Sequence, residues 1–171
     1  MSAVRKEKFG ATPLMWSAGR GDLAELKLLL NEGLAVDDEN DHKQTALIYA
    51  ASAGNIDAVS LLVSAGAEIE HKDRHGSNAF IYAASRGHTG VVRQLLGYGA
   101  NIEAKNSNDV TALMEAAANG HREVVELLLD AGANPKAEAA SGETALHFAT
   151  QEKHQEIVDL LLAKWSRPSA S

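Results

Sequence analysis

The sequence predicts an all-α solenoid in which five helix-turn-helix units are joined by β-hairpin-like loops. The first observation is a period, because the 171-residue chain aligns with itself when shifted by 33 residues, with no insertion or deletion. Self-similarity at such a period is the signature of a repeat array. The second is composition: hydrophobic residues make up 45% of the chain but aromatic residues only 5%, which favours thin, closely stacked helices.

In each repeat the first helix is preceded by a residue suited to cap it. A Thr or Asn side-chain oxygen accepts a hydrogen bond from a backbone N–H in the first turn. The five leading residues are Thr12, Thr45, Asn78, Thr111 and Thr144. Pro13 fits the first helical position because no N–H is needed there. We expect a short first helix that ends at a glycine able to adopt a left-handed conformation. These glycines are Gly21, Gly54, Gly87 and Gly120.

A second helix in each repeat carries an apolar stripe. In the fourth repeat the stripe is Val124, Val125, Leu128 and Leu129, whose spacing places them on one helical face. The leucine triplets at 28–30, 127–129 and 160–162 are predicted to be core. A turn-rich segment then leads to the next cap, and Lys43 and Asp109 occupy a glycine position in that segment.

The period divides the chain into repeats that together form a single domain over residues 1–171. Their predicted bounds are 6–38, 39–71, 72–104, 105–137 and 138–168, followed by a tail of residues 169–171. No repeat can bury its apolar face alone, so the five must stack on one continuous core. The fifth repeat has Lys153 at the glycine position and polar residues such as Glu156 on its last helix, as expected of a cap.

Composition excludes several classes of function. The net charge of −7 disfavours nucleic acid as a partner. No apolar run is long enough to span a membrane, and residues 1–11 lack the apolar stretch of a signal peptide, so we expect a cytoplasmic protein. The chain has no cysteine, which excludes disulfides and thiolate metal sites. It also has no phosphate-binding loop or nucleophile motif, so we expect neither an enzyme nor a cofactor.

The histidines show a regular pattern that we interpret as structural. His88, His121 and His154 lie one repeat apart, in the turns between paired helices. Adjacent stacked helices lie about 10 Å apart, too far for one metal ion whose ligands lie about 2 Å away. His71 and His75 are four residues apart, but the segment between them has the character of a turn and not of a helix.

The period and several motifs resemble the ankyrin repeat. The motifs are Thr-Pro-Leu at 12–14, Gly-Ala at 132–133 and Thr-Ala-Leu-His at 144–147, and the resemblance covers roughly residues 6–168. Only the first repeat keeps the proline of the family motif, and only the fifth keeps its histidine, His147. The resemblance implies a recognition scaffold without enzymatic activity, whose partners differ from one member to another.

One column of the repeat contains large aromatic side chains. It is the fourth residue after each cap: Trp16, Tyr49, Tyr82, Glu115 and Phe148. The resemblance places this position on the first helix, near the concave groove. The rings could fill the space between neighbouring helices, or they could form a ladder for an extended peptide, since Tyr and Trp are favoured anchors. The first three rings are similar to those of small ankyrin domains that bind proline-containing peptides.

The resemblance also assigns contact positions to the loop tips and helix ends. With the aromatic column, they give nine predicted partner-binding residues: Trp16, Arg20, Tyr49, Arg74, His75, Tyr82, Arg86, Phe9 and His42. The third repeat is the only basic one, and three of its cations fall at or near the groove. That excess predicts an acidic group on the partner.

We therefore expect a monomeric module that binds another protein or a linear peptide in its groove, with no cofactor. One alternative is a regulatory or inhibitory subunit that docks on a folded enzyme or transporter through its loop tips. Another is an engineered binding scaffold.

Overall fold

A computed structural model describes residues 10–165, and these residues form ten α-helices. The first helix of each repeat is α1 (Pro13–Arg20), α3 (Ala46–Ala53), α5 (Ala79–Ser85), α7 (Ala112–Ala118) or α9 (Ala145–Gln151). The second is α2 (Leu23–Asn31), α4 (Ile56–Ser64), α6 (Thr89–Gly97), α8 (Arg122–Asp130) or α10 (Gln155–Trp165). The described range contains no β-strand, and its one isolated bridge pairs Lys105 with Thr111 in a loop. The predicted all-α solenoid is confirmed.

The helices stack in two rows. Successive first helices contact one another along the stack, and successive second helices do the same. The first helices approach each other more extensively, because their packed faces are rich in alanine, including Ala50, Ala83 and Ala116, all fully buried. Closer spacing in one row curves the stack toward that row. The groove is therefore the surface formed by the exposed sides of the first helices and by the loop tips that precede them.

The helix caps follow the predicted chemistry at Thr12, Asn78 and Thr111. Thr12 Oγ1 accepts a hydrogen bond from Met15 N at 3.3 Å, and Asn78 Oδ1 accepts one from Ile81 N at 3.0 Å. Thr45 begins α3 in the same extended conformation, but its buried hydroxyl has no hydrogen-bond partner within residues 10–165. Lys43 and Asp109 take the left-handed conformation of the glycines they replace, with φ of 60° and 57°. This conformation costs a lysine more than an aspartate.

The leucine triplets are only partly core, which corrects the sequence prediction. Leu128 is fully buried, but 58% of Leu28 and 47% of Leu162 is exposed. Leu129, one repeat before Leu162, is 8% exposed because the fifth repeat covers it. Gln94, which occupies the Leu28 position two repeats later, bonds to Ser60 of the preceding repeat, so this position faces backward along the stack. The position of Leu129 and Leu162 faces the following repeat. Within residues 10–165 no repeat lies beyond either end, so both side chains remain exposed.

Two series of hydrogen bonds join the second, third, fourth and fifth repeats. In the turns, the Nε2 atoms of His88, His121 and His154 lie 3.0, 3.0 and 3.1 Å from backbone carbonyl oxygens of the preceding repeat. At the loop tips, Arg74 N donates to His42 O at 3.0 Å and Ser107 N donates to His75 O at 2.9 Å. The predicted structural role of the three histidines is confirmed, and the two series of bonds run along both edges of the stack.

Candidate groove for a peptide partner

Two aromatic rings and an open pocket mark the part of the groove between the first two repeats. Trp16 on α1 is 36% exposed, and its ring meets the Tyr49 ring of α3 edge to face, with centroids 6.0 Å apart and planes at 76°. Edge-to-face pairs of this kind are a favoured aromatic geometry. Beside the rings is an open pocket of about 390 Å³. Its lining includes Gly19, Arg20, Gln44, Ile48, Ser52 and Ala53.

The pocket combines an apolar floor with a charged rim. Ile48 is 2% exposed and forms part of the floor, while Gly19 has no side chain to cover the edge of the Tyr49 ring. Arg20 lies at the rim and makes an ion pair of 2.7 Å with Glu25, in which the Arg20 side chain is 60% exposed. Exposed pairs of this kind contribute little to stability, so Arg20 can exchange its partner at small cost.

Tyr82 is held differently from Trp16. Its hydroxyl donates to Asp73 Oδ2 at 2.7 Å and accepts from Gln44 Nε2 at 3.2 Å. Burial, together with the hydrogen bond to the Asp73 carboxylate, raises the pKa of the Tyr82 phenol to about 12. The phenol is therefore neutral at physiological pH and already bonded within the protein. Its ring face, and not its oxygen, is what the groove can offer to a partner.

A hydrogen-bonded chain links the two tyrosines. Asn40 Nδ2 donates to the Tyr49 hydroxyl at 3.1 Å and to Gln44 Oε1 at 3.2 Å. Gln44 Nε2 continues the chain to Tyr82, and Tyr82 continues it to Asp73. Three side chains, Asn40, Gln44 and Asp73, thus hold the two tyrosine hydroxyls in place. Gln44 lies in the second repeat and bonds to a ring of the third, so it couples the two.

Asn40 and Asp73 also shape the loop tips. Asn40 Oδ1 accepts the backbone N–H groups of His42 and Gln44 at 2.8 and 2.9 Å. Asp73 Oδ1 accepts those of His75 and Ser77 at 2.9 and 3.0 Å, and Asn106 repeats the motif in the fourth repeat. Side-chain oxygens of Asn and Asp are well suited to such local turns. Sequence reasoning missed this role, although Asn, Asp and Asn recur there at the repeat period.

The remaining predicted residues are exposed around this network. Arg86 is the C-cap of α5, directly after Ser85 and one turn after Tyr82, and its charge opposes the upward shift of the Tyr82 pKa. His42, Arg74 and His75 lie exposed at adjoining loop tips. The side chains of Arg74 and Arg86 make no hydrogen bond or ion pair to another residue between 10 and 165. Phe9 lies outside the described residues.

The groove is different in its second half. Glu115 takes the aromatic position in α7, is half-buried, and accepts a hydrogen bond from Ser85 Oγ at 2.9 Å. Phe148, half-buried in α9, is therefore separated from the other three rings. The structure groups Trp16, Arg20 and Tyr49 at one pocket and Tyr82 with Arg86 beside it.

The described residues hold no group of three or more His, Asp and Glu side chains that could bind a metal ion. None of the helices in this part of the chain is both long and apolar enough to cross a membrane.

Comparison of the sequence with known protein families gives one match. A family model of ankyrin repeats, three copies long, matches residues 2–73 and 80–170. A search of curated proteins found no match. Ankyrin repeats generally mediate protein–protein interaction and are typically non-enzymatic. The matched segments cover most of the sequence, and their paired helices stack as the period predicts: the chain belongs to the ankyrin-repeat family.

Proposed function

We propose that this chain is a monomeric, non-enzymatic cytoplasmic protein that binds a linear segment of another protein. The segment lies in the groove across the first three repeats, over Trp16, Tyr49, Tyr82, Arg74 and Arg86. The observation that carries this proposal is the pocket beside the Trp16–Tyr49 ring pair. An exposed tryptophan next to an open, largely apolar pocket is a suitable anchor for an apolar side chain of a partner.

The fixed rings favour this function over simple packing. Ordering a flexible side chain on binding costs about 0.5–1.5 kcal/mol. Tyr49 and Tyr82 are already ordered by Asn40, Gln44 and Asp73, so much of this cost is met when the protein folds. An extended segment could then contact two ordered ring faces and a solvent-exposed indole. Hydrogen-bonded loop tips form one edge of the groove and limit the paths open to the segment.

The test is selection from a displayed library of random 15-residue linear peptides, followed by affinity measurement on the enriched sequences by fluorescence anisotropy. We expect Trp16→Ala to weaken binding by about 2 kcal/mol or more, in the range of an anchor residue. Leu28→Ala is the matched control, because Leu28 is an exposed apolar side chain on α2, away from the groove. It should leave the affinity unchanged.

Two results would contradict the proposal. If no peptide is enriched, the groove does not bind linear segments. If enriched peptides keep full affinity for Trp16→Ala and lose it for His42→Ala and His75→Ala, the site lies at the loop tips. The second result would favour the alternative in which the chain docks on a folded enzyme or transporter.

A further inference from the structure

The groove changes the sign of its charge between the third and fourth repeats. Two columns of each repeat lie beside it: the fourth residue after the cap, on the first helix, and the eighth, at or just beyond the C-terminal end of that helix. A separation of four residues places the two on one side of the helix, and Arg20 and Ala53 of the second column line the pocket beside the rings. In the first three repeats these columns read Trp16 and Arg20, Tyr49 and Ala53, Tyr82 and Arg86. In the last two they read Glu115 and Asn119, Phe148 and Glu152. Two cations are thus followed along the stack by two carboxylates.

These charges are largely available to a partner. Among the described residues, neither Arg86 nor Glu152 makes a side-chain hydrogen bond or ion pair, and both are exposed. Glu115 accepts a bond from the neutral hydroxyl of Ser85, which leaves its charge unbalanced. Arg20 pairs with Glu25 only at the surface. The protein therefore keeps two oppositely charged regions side by side along one groove.

We propose that the groove recognises a linear segment whose charges follow a fixed order along the stack. An apolar side chain occupies the Trp16–Tyr49 pocket, a carboxylate faces Arg86, and Lys or Arg side chains face Glu115 and Glu152. This inference rests on the proposed function and extends the site from the first three repeats to all five. A uniformly acidic segment would bring like charges together at Glu115 and Glu152, which is unfavourable.

The repeat spacing sets the separation of these features in the segment. Stacked helices lie about 10 Å apart, and an extended chain advances about 3.3 Å per residue, so each repeat corresponds to about three residues. The carboxylate should therefore lie about four or five residues from the apolar anchor. The basic residues should follow about three to six residues beyond the carboxylate. From the first repeat to the fifth, the order apolar, acidic, basic is the same whether the peptide runs N to C or C to N along the stack.

The first test reads the sequences enriched from the 15-residue peptide library on the wild-type protein. We expect an apolar residue, an acidic residue and basic residues in that spatial order. Peptides that are enriched and depend on Trp16, but carry no basic residues beyond the acidic one, would overturn the charge order and leave the proposed function standing. A library from which nothing is enriched overturns both.

The second test uses charge reversal. Glu152→Lys should weaken an enriched peptide about two- to fivefold at low salt, and a peptide with its basic residues changed to Glu should recover the affinity. Glu156→Lys is the control for the change of charge, because the Glu156 side chain is 84% exposed on α10, a helix of the second row, where it contacts Arg122 at 3.6 Å. Equal effects of the two variants, or no recovery, would show that the segment does not reach the fifth repeat and would overturn the proposed charge order.

Discussion

Tyr82 donates a hydrogen bond of 2.7 Å to Asp73, a carboxylate that is 5% exposed. The other carboxylate oxygen accepts two backbone N–H groups of the loop tip, from His75 and Ser77. Burying a charge is tolerable only when it is well hydrogen-bonded. Asp73 meets this condition because one of its oxygens binds its own loop tip and the other binds the Tyr82 hydroxyl. One residue thus positions both the loop tip and the aromatic side chain of α5.

Tyr82→Phe should therefore destabilise the protein by about 1–3 kcal/mol, because it removes a hydrogen bond to a buried charged group. Tyr49→Phe is the matched control, since its hydroxyl accepts a bond from the neutral amide of Asn40. It should cost about 0.5–1.5 kcal/mol. Urea unfolding followed by circular dichroism measures both. A Tyr82→Phe protein as stable as wild type would show that Asp73 finds another donor.

The environment of Tyr82, including its hydrogen bond to Asp73, also predicts that stability depends on pH in the alkaline range. Folding raises the pKa of Tyr82 from 10.0 to about 12, so the folded state favours the neutral phenol. This contribution is fully present below pH 10 and is lost as the pH rises toward 12. Wild-type protein should therefore lose more stability than Tyr82→Phe across that interval. Parallel losses, measured by urea unfolding at several pH values, would assign the dependence to other groups.

The fold could be predicted because one signal is repeated five times. A cap, a glycine and an apolar stripe are local features, so their period specifies paired helices without knowledge of the packing. The chain from Asn40 through Gln44 to Tyr82 could not be predicted in this way. It joins side chains 38 residues apart at its second step, and their contact depends on how two repeats stack.

The leucine triplets illustrate the converse limit. Helical periodicity indicates which side of a helix is apolar, but burial depends on whether a neighbouring repeat covers that side. Leu129 and Leu162 occupy the same position one repeat apart, yet Leu129 is 8% exposed and Leu162 is 47% exposed. The aromatic column was visible in the sequence for the opposite reason, since its position on the first helix is the same in every repeat.

Leu128→Ala should cost about 2–5 kcal/mol, as expected for a leucine buried in a packed core. Leu28→Ala removes the same atoms from a largely exposed position, so it should change the stability by no more than about 0.5 kcal/mol. Thermal or urea unfolding of the two variants separates these cases. Equal costs would mean that Leu28 is covered in solution.

Gly54→Ala and Gly66→Ala test the histidine series. Both glycines are left-handed, with φ of 77° and 93°, so alanine is strained at either position. A Cβ at residue 54 would also lie 2.6 Å from Nδ1 of His88, whereas a Cβ at residue 66 would have no atom within 4 Å. Displacing His88 breaks its bond to the Ser52 carbonyl. Gly54→Ala should therefore be the less stable variant by about 1 kcal/mol or more. Equal stabilities would show that the His88 bond to the preceding repeat does not stabilise the stack.

Arg86→Ala should weaken the binding of library-selected peptides at low salt and have little effect at high salt. Arg86 is exposed beside Tyr82, and an exposed charge acts through solvent that salt screens, with a Debye length of about 30 Å at 0.01 M and about 3 Å at 1 M. Arg93→Ala makes the same change of charge in the same repeat, but on the second helix, α6, away from the groove. At low salt Arg86→Ala should therefore bind peptides more weakly than Arg93→Ala does. At high salt the two variants should have similar affinities. Equal losses at low salt would assign the effect to net charge alone, and Arg86 would no longer belong to the site.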